Sequence, residues 1–161
     1  LKKGLVHLDD SLCKTDVDHF HSLCTRAEAQ LTEGRTQEAL KTFAEAISLY
    51  TDDFLARDVN AQWAAPLRES LQQRYMKVLF QVARTYETLG SWTKAVRHYE
   101  LALTCDPALE EAYRRIMVVY ANRGKRSQAL KTFERCRDNL RKHLDVQPDK
   151  VTIALYQRIL G

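Results

Sequence analysis

The chain has 161 residues, 45% of them hydrophobic, which is enough to bury a real core as one domain. No apolar run approaches the roughly 18 residues that cross a bilayer, and the first residues show no signal-peptide pattern, so a cytoplasmic protein is expected. A net charge of +4 is modest for this length, and the scarcity of Gly (5) and Pro (3) suits helices joined by short turns.

In chain order, residues 1–15 differ from the rest. Leu5 to Leu8 alternate loosely after Gly4, and Asp9-Asp10-Ser11 is turn chemistry, so a short strand or hairpin remnant is expected. The chain does not begin with methionine and reads as an excised fragment. Asp16 looks like the N-cap of a helix over about 17–33, and a second helix is predicted over 36–50. Thr51 to Gln62, with Phe54 and Leu55, reads as a connection. A long helix is predicted from Trp63 to Leu89, with Pro66 tolerated in its first turn and an apolar stripe of Trp63, Leu67, Leu71 and Tyr75. Helices over 92–105, 108–123 and 126–143 follow. Asp145 to Gln147 forms a turn, and Pro148 opens a last helix over 148–160. Its stripe of Val151, Leu155 and Ile159 is predicted to cover the open end of the stack.

These elements fall into register. Gly90 and Gly124 are 34 residues apart, as are Tyr86 and Tyr120, Ala95 and Ala129, Tyr99 and Phe133, and Ala102 and Cys136. A weaker copy surrounds Gly34, with Ala39, Phe43 and Ala46 at the same offsets and Gln30 where the tyrosine should be. A 34-residue period is that of the tetratricopeptide helix–turn–helix repeat. Each glycine closes the first helix of a repeat in left-handed conformation. The alanine lets the second helix approach, and the aromatic fills the space between the two. The small residue three positions on faces the next repeat, and Asp106-Pro107 ends a second helix. The predicted fold is all-α: a tetratricopeptide-like repeat array of about eight helices, in a right-handed superhelix, with a short N-terminal β remnant.

Little in the chain points to chemistry. The four cysteines form no CxxC pair, and Cys24 and Cys136 fall on apolar helix faces, as small buried hydrophobes do in a reducing compartment. His19 and His21 lie on different helix faces, unlike the pair of a zinc helix, so no metal is expected and no cofactor either. No P-loop, dinucleotide glycine pattern or nucleophile motif appears, and the protein is not expected to be an enzyme. His98 reads as a surface histidine. Basic residues gather late in the chain, but Glu134 and Asp138 interrupt them, and a solvated helix face is the default reading.

Several segments resemble the bacterial transcriptional activator domain, the helical half of antibiotic-pathway regulators. They are Ala46 to Tyr50, Asp53-Phe54-Leu55, Trp63 with Arg68 and Leu71, Glu111 to Met117, Gly124, Ala129-Leu130, Leu140-Arg141 and Pro148. Near the start, Asp16-Val17 and Phe20 resemble the junction after that family's DNA-binding module. Asp52 and Asp145 stand where the family usually has glycine, at turn positions needing an unusual backbone angle. The resemblance implies two parts. Residues 1–15 are the end of, or a linker from, a winged-helix domain absent from this chain. Residues 16–161 are the activator domain, with promoter DNA reached only through the upstream domain.

The functional expectation is a regulatory and protein-interaction domain of a cytoplasmic transcription activator. It would work through contact with transcription machinery, self-dimerisation or effector sensing. A free-standing tetratricopeptide adapter gripping a partner's peptide is the alternative. In either case the groove-facing positions of the first helices are the candidate contact residues: Lys77, Phe80, Arg84, Glu87 and Thr88, then Glu111, Arg114, Val118, Ala121 and Asn122. They mix both signs with apolar groups, unlike an all-basic clamp for a carboxylate terminus.

Overall fold

The computed structural model describes residues 15–50 and 62–161, and among these it has seven α-helices, one short 3-10 turn and no strand. The hairpin remnant expected over residues 1–15 lies, but for Thr15, outside the described residues, and so does the connection holding Asp52, Phe54 and Leu55. The chain divides into two compact units, residues 1–71 and 72–161.

The first unit holds α1 (Asp16–Thr32), α2 (Thr36–Leu49), the 3-10 turn Gln62–Ala64 and the start of α3 (Ala65–Thr88). The cap of α1 is Thr15, not Asp16. The Thr15 hydroxyl accepts from the Asp18 backbone N–H at 3.2 Å, and the Asp18 carboxylate accepts from the Thr15 backbone N–H at 3.0 Å. This is a reciprocal capping box, which leaves Asp16 in the first turn, where its charge meets the positive end of the helix. Helices α1 and α2 pack together through Leu23, Cys24 and Ala27 on one side and Ala39, Phe43 and Ala46 on the other, all buried.

The stripe predicted for the start of α3 is buried only in part. Leu71 and Tyr75 are inside, whereas Trp63 is 74% and Leu67 36% exposed. Helical spacing aligns four side chains on one face, but it does not determine how far along that face a neighbour reaches.

The second unit holds the rest of α3, then α4 (Trp92–Cys105), α5 (Glu110–Asn122), α6 (Arg126–Leu144) and α7 (Lys150–Leu160). Its core joins Ala83, Tyr99, Leu103, Tyr113, Ile116 and Cys136, with Phe80 and Tyr120 packed at the edge. A second cluster of Met117, Phe133 and Leu155 takes in α7, and Tyr156 stacks on Phe133 at 4.1 Å. The face that α7 buries therefore runs through Thr152, Leu155, Tyr156 and Ile159. Val151, predicted to share it, is 66% exposed, because a stripe drawn at i, i+4, i+8 drifts relative to the 3.6-residue turn.

The turns repeat in atomic detail. Gly34, Gly90 and Gly124 have φ of 77°, 67° and 67°. After each, the next N–H donates back five residues: Arg35 to the Gln30 carbonyl, Ser91 to Tyr86 and Lys125 to Tyr120, at 2.8–2.9 Å. The glycine N–H donates to the carbonyl three residues back in each case. These are Schellman caps, which satisfy the last carbonyls of a helix and turn the chain back. The three alanines that follow (Ala39, Ala95, Ala129) are wholly buried, as are Phe43 and Tyr99. The fold is thus a tetratricopeptide-like repeat array.

Candidate functional site

The predicted contact positions occupy the first helices of the last two repeats, and the structure sorts them by what they touch. Lys77, Phe80, Arg84 and Thr88 lie along α3 and, with Gln81, Thr85 and Glu111, line a cavity of about 560 Å³. Helical spacing brings Lys77, Phe80 or Gln81, Arg84 and Thr88 to one face. Arg84 donates to the Glu111 carboxylate at 3.1 Å across the cavity, in an exposed pair. The Gln81 side-chain oxygen is buried with no hydrogen-bond partner. Phe80 meets the Tyr99 ring edge-on at 5.2 Å, so one side of it belongs to the core and the other faces the cavity.

Glu87 turns inward. It accepts from the Tyr99 hydroxyl at 2.5 Å and lies 3.9 Å from Arg115 Nε. Burial, and then this bond, push the Tyr99 phenol well above its ordinary pKa. Glu87 thus holds the central aromatic of the middle repeat in place.

Apart from Glu111, the predicted α5 positions meet α7 instead of α3. Arg114 donates to Asp149 at 2.8 Å and to the Thr152 hydroxyl at 3.0 Å, and Glu110 accepts from the Asp149 backbone N–H at 2.8 Å. Asp149 is the N-cap of α7, accepting from the Thr152 backbone N–H at 2.8 Å. That bond above all, with Arg114 adding to it, holds its carboxyl below the usual range. Val118 lines a cavity of about 600 Å³ with Arg114, Arg115 and four α7 residues, Lys150, Val151, Ala154 and Arg158, over buried Leu155. Val118, Leu155 and Arg158 also line an adjoining cavity of about 510 Å³, with Ala121, Asn122, Arg126 and Ile159.

The predicted groove is therefore two cavities: one between α3 and α5, one between α5 and α7. The α7 wall was not anticipated, although its signal was available: Val151, Ala154 and Arg158 recur at i, i+3 and i+7.

Elsewhere the polar groups are structural. Arg135 grips both Glu100 oxygens at 2.8 Å and lies over the Tyr113 ring, so the late basic residues are not all solvated. His98 is half-buried, its ring 5.4 Å from that of Tyr86, where the sequence suggested a surface histidine. Burial lowers its pKa. Cys24 and Cys136 are fully buried, and burial pushes the Cys136 thiol up to about 12. Among the described residues no group of three His, Cys, Asp or Glu side chains could hold a metal, and no helix is long and apolar enough to cross a membrane.

The model of the family described as "Bacterial transcriptional activator domain" matches residues 15–160. Among solved structures, Mycobacterium tuberculosis EmbR in complex with a low affinity phosphopeptide is similar at a TM-score of 0.74 and 20% identity, over 96% of this chain and 40% of that one. The C-terminal tetratricopeptide domain of a putative FK506-binding protein from Plasmodium falciparum is similar at 0.60 and 14%, over 92% of this chain and 93% of that one. A tetratricopeptide repeat protein from Parabacteroides merdae is similar at 0.58 and 20%, over 88% and 46%. This chain thus spans less than half the length of the EmbR chain. No curated protein matches it in sequence.

Proposed function

The chain belongs to the bacterial transcriptional activator domain family, and on that premise we propose that it is the interaction domain through which a transcription activator engages a protein partner. The observation that carries this reading is the cavity between α3 and α5. Phe80 offers an aromatic face there beside Lys77, Arg84 and Glu111, and no side chain of the second unit fills the space. Aromatic and arginine side chains supply much of the binding energy at protein interfaces. Among the described residues His98, Cys136, Tyr99 and Arg135 are engaged in packing and internal bonds.

In this reading promoter DNA is bound by an upstream domain, and residues 15–161 convert occupancy into activation. The test is to delete residues 15–161 from the regulator that carries them. Promoter occupancy measured by footprinting is expected to persist while reporter transcription falls to the uninduced level. Undiminished transcription would remove the activating role from this domain.

A further inference from the structure

We propose that the trough between α5 and α7 is a docking surface for an acidic, amphipathic helix of a partner protein. The inference rests on the reading of the repeats as a partner surface and commits this half of it to one occupant.

The two cavities that share Val118, Leu155 and Arg158 form one continuous trough. Its floor is apolar, made of Val118, Ala121, Val151, Ala154 and Leu155. Its rim is cationic: Arg115, Lys150, Arg158 and Arg126, with Arg114 at one end. No carboxylate lines it. Arg114 is already satisfied by Asp149, and Arg126 donates to the Leu160 carbonyl. Lys150 and Arg158 are exposed and have no ion-pair partner among the described residues. They stand two turns apart on α7, one at each end of the exposed apolar patch Val151 and Ala154.

The charge complement of such a rim is a carboxylate-rich ligand. The apolar floor asks for side chains that bury hydrocarbon, which an inorganic anion or a phosphate backbone does not supply. Both walls are helices whose backbone groups are bonded internally, so no strand edge is offered to an extended peptide. The occupant therefore satisfies its own backbone. From Lys150 to Arg158 the wall is about 12 Å long, which accommodates roughly two turns of helix. A helix with apolar residues at i, i+3, i+4 and i+7 and Asp or Glu on both flanks matches floor and rim together.

The test uses the 161-residue chain and three labelled peptides of about 15 residues, read by fluorescence anisotropy. One has leucines at i, i+3, i+4 and i+7 flanked by glutamates, the second is its scramble, and the third carries lysines for glutamates. The first is expected to bind at least tenfold tighter than either control. The variant Lys150→Glu/Arg158→Glu, whose positions are exposed, is expected to lose that preference by more than tenfold with an unchanged melting curve. Val151→Asp is expected to weaken the same peptide with both cations intact. Equal binding of scramble and amphipathic peptide would overturn the proposal, as would binding that neither variant affects. Tighter binding of a short DNA duplex, weakened by the double variant, would assign the rim to phosphate instead. A dimer dissociated by the double variant in sedimentation would assign the trough to a second copy. Arg84→Glu, in the α3–α5 cavity, is expected to leave peptide binding unchanged, so failure of the peptide to bind leaves the reading of Phe80 and Arg84 standing. Binding lost in Arg84→Glu and kept in the α7 variants would move the peptide to that cavity and overturn the proposal.

Discussion

Gly34, Gly90 and Gly124 show how far a single residue type can be read. A Cβ built on any of them meets nothing within 4 Å, so the constraint is the positive φ and not space. Gly90→Ala is expected to destabilise the chain by about 1 kcal/mol, seen as a lower urea midpoint, with Gly90→Asn costing less. Asp145 has φ 55° at the end of α6, the position where the family resemblance places glycine. Asp145→Gly is therefore expected to stabilise by roughly 0.5–1 kcal/mol, the relief of strain exceeding the entropy glycine adds to the unfolded chain. Gln30 looked like a defect in the first repeat. The structure explains it by its partner: the Thr42 hydroxyl donates to the Gln30 side chain at 2.8 Å, in the place where Tyr86 packs on His98 in the middle repeat. A paired exchange of this kind cannot be read one position at a time. His98, held largely neutral by burial, binds protons more readily when unfolded. Its contribution is thus fully present above the ordinary histidine pKa and is lost as pH falls through the lowered one. The melting temperature is expected to drop as pH goes from about 7.5 to about 5, and less so in His98→Gln.

At the scale of elements, periodicity located the helices to within one or two residues, because caps and prolines mark where helical bonding ends. Thus Asp106 closes α4, and its side chain accepts from the Ala108 N–H at 2.9 Å across Pro107. What periodicity could not show is which of two adjacent faces a short helix buries, as Val151 and Thr152 demonstrate. Packing between the helices of a repeat is the main source of stability. Ala95 has no exposed surface, so Ala95→Leu is expected to cost about 1–3 kcal/mol by overpacking. Tyr99→Ala is expected to cost about 3–5 kcal/mol, for a ring with no exposed surface whose hydroxyl bonds Glu87. Midpoints equal to the parent would refute the repeat packing. The Arg114–Asp149 bond ties α7 to α5 at a partly exposed site, so its worth is modest. Arg114→Gln is expected to speed amide exchange over 150–160 about fivefold, roughly 1 kcal/mol, while 110–144 keep their protection.

For the molecule as a whole, the fold was legible because several residue types repeat at one period, and the family because some of its segments, Asp53-Phe54-Leu55, Trp63 and Pro148, sit outside that repeat. The candidate site was legible only as a set of groove-facing positions. Sequence spacing put Glu87 and Arg114 beside Phe80 and Arg84, but Glu87 is drawn to Tyr99 and Arg114 to Asp149, which only the packing of α4 and α7 reveals. A net charge of +4, with Arg84, Arg114 and Arg135 already paired, leaves a modest field for DNA. The chain alone is expected to bind duplex weakly, without sequence preference, and to release it as salt rises. The most direct measurement of the central claim is reporter transcription against promoter occupancy in the regulator carrying Arg84→Glu. Arg84 is exposed, so its reversal is expected to leave the melting temperature within about 2 °C of the parent. Transcription is expected to fall at least fivefold with occupancy unchanged. Transcription equal to the parent at equal occupancy would contradict the assignment of the α3–α5 groove as the surface through which this domain activates.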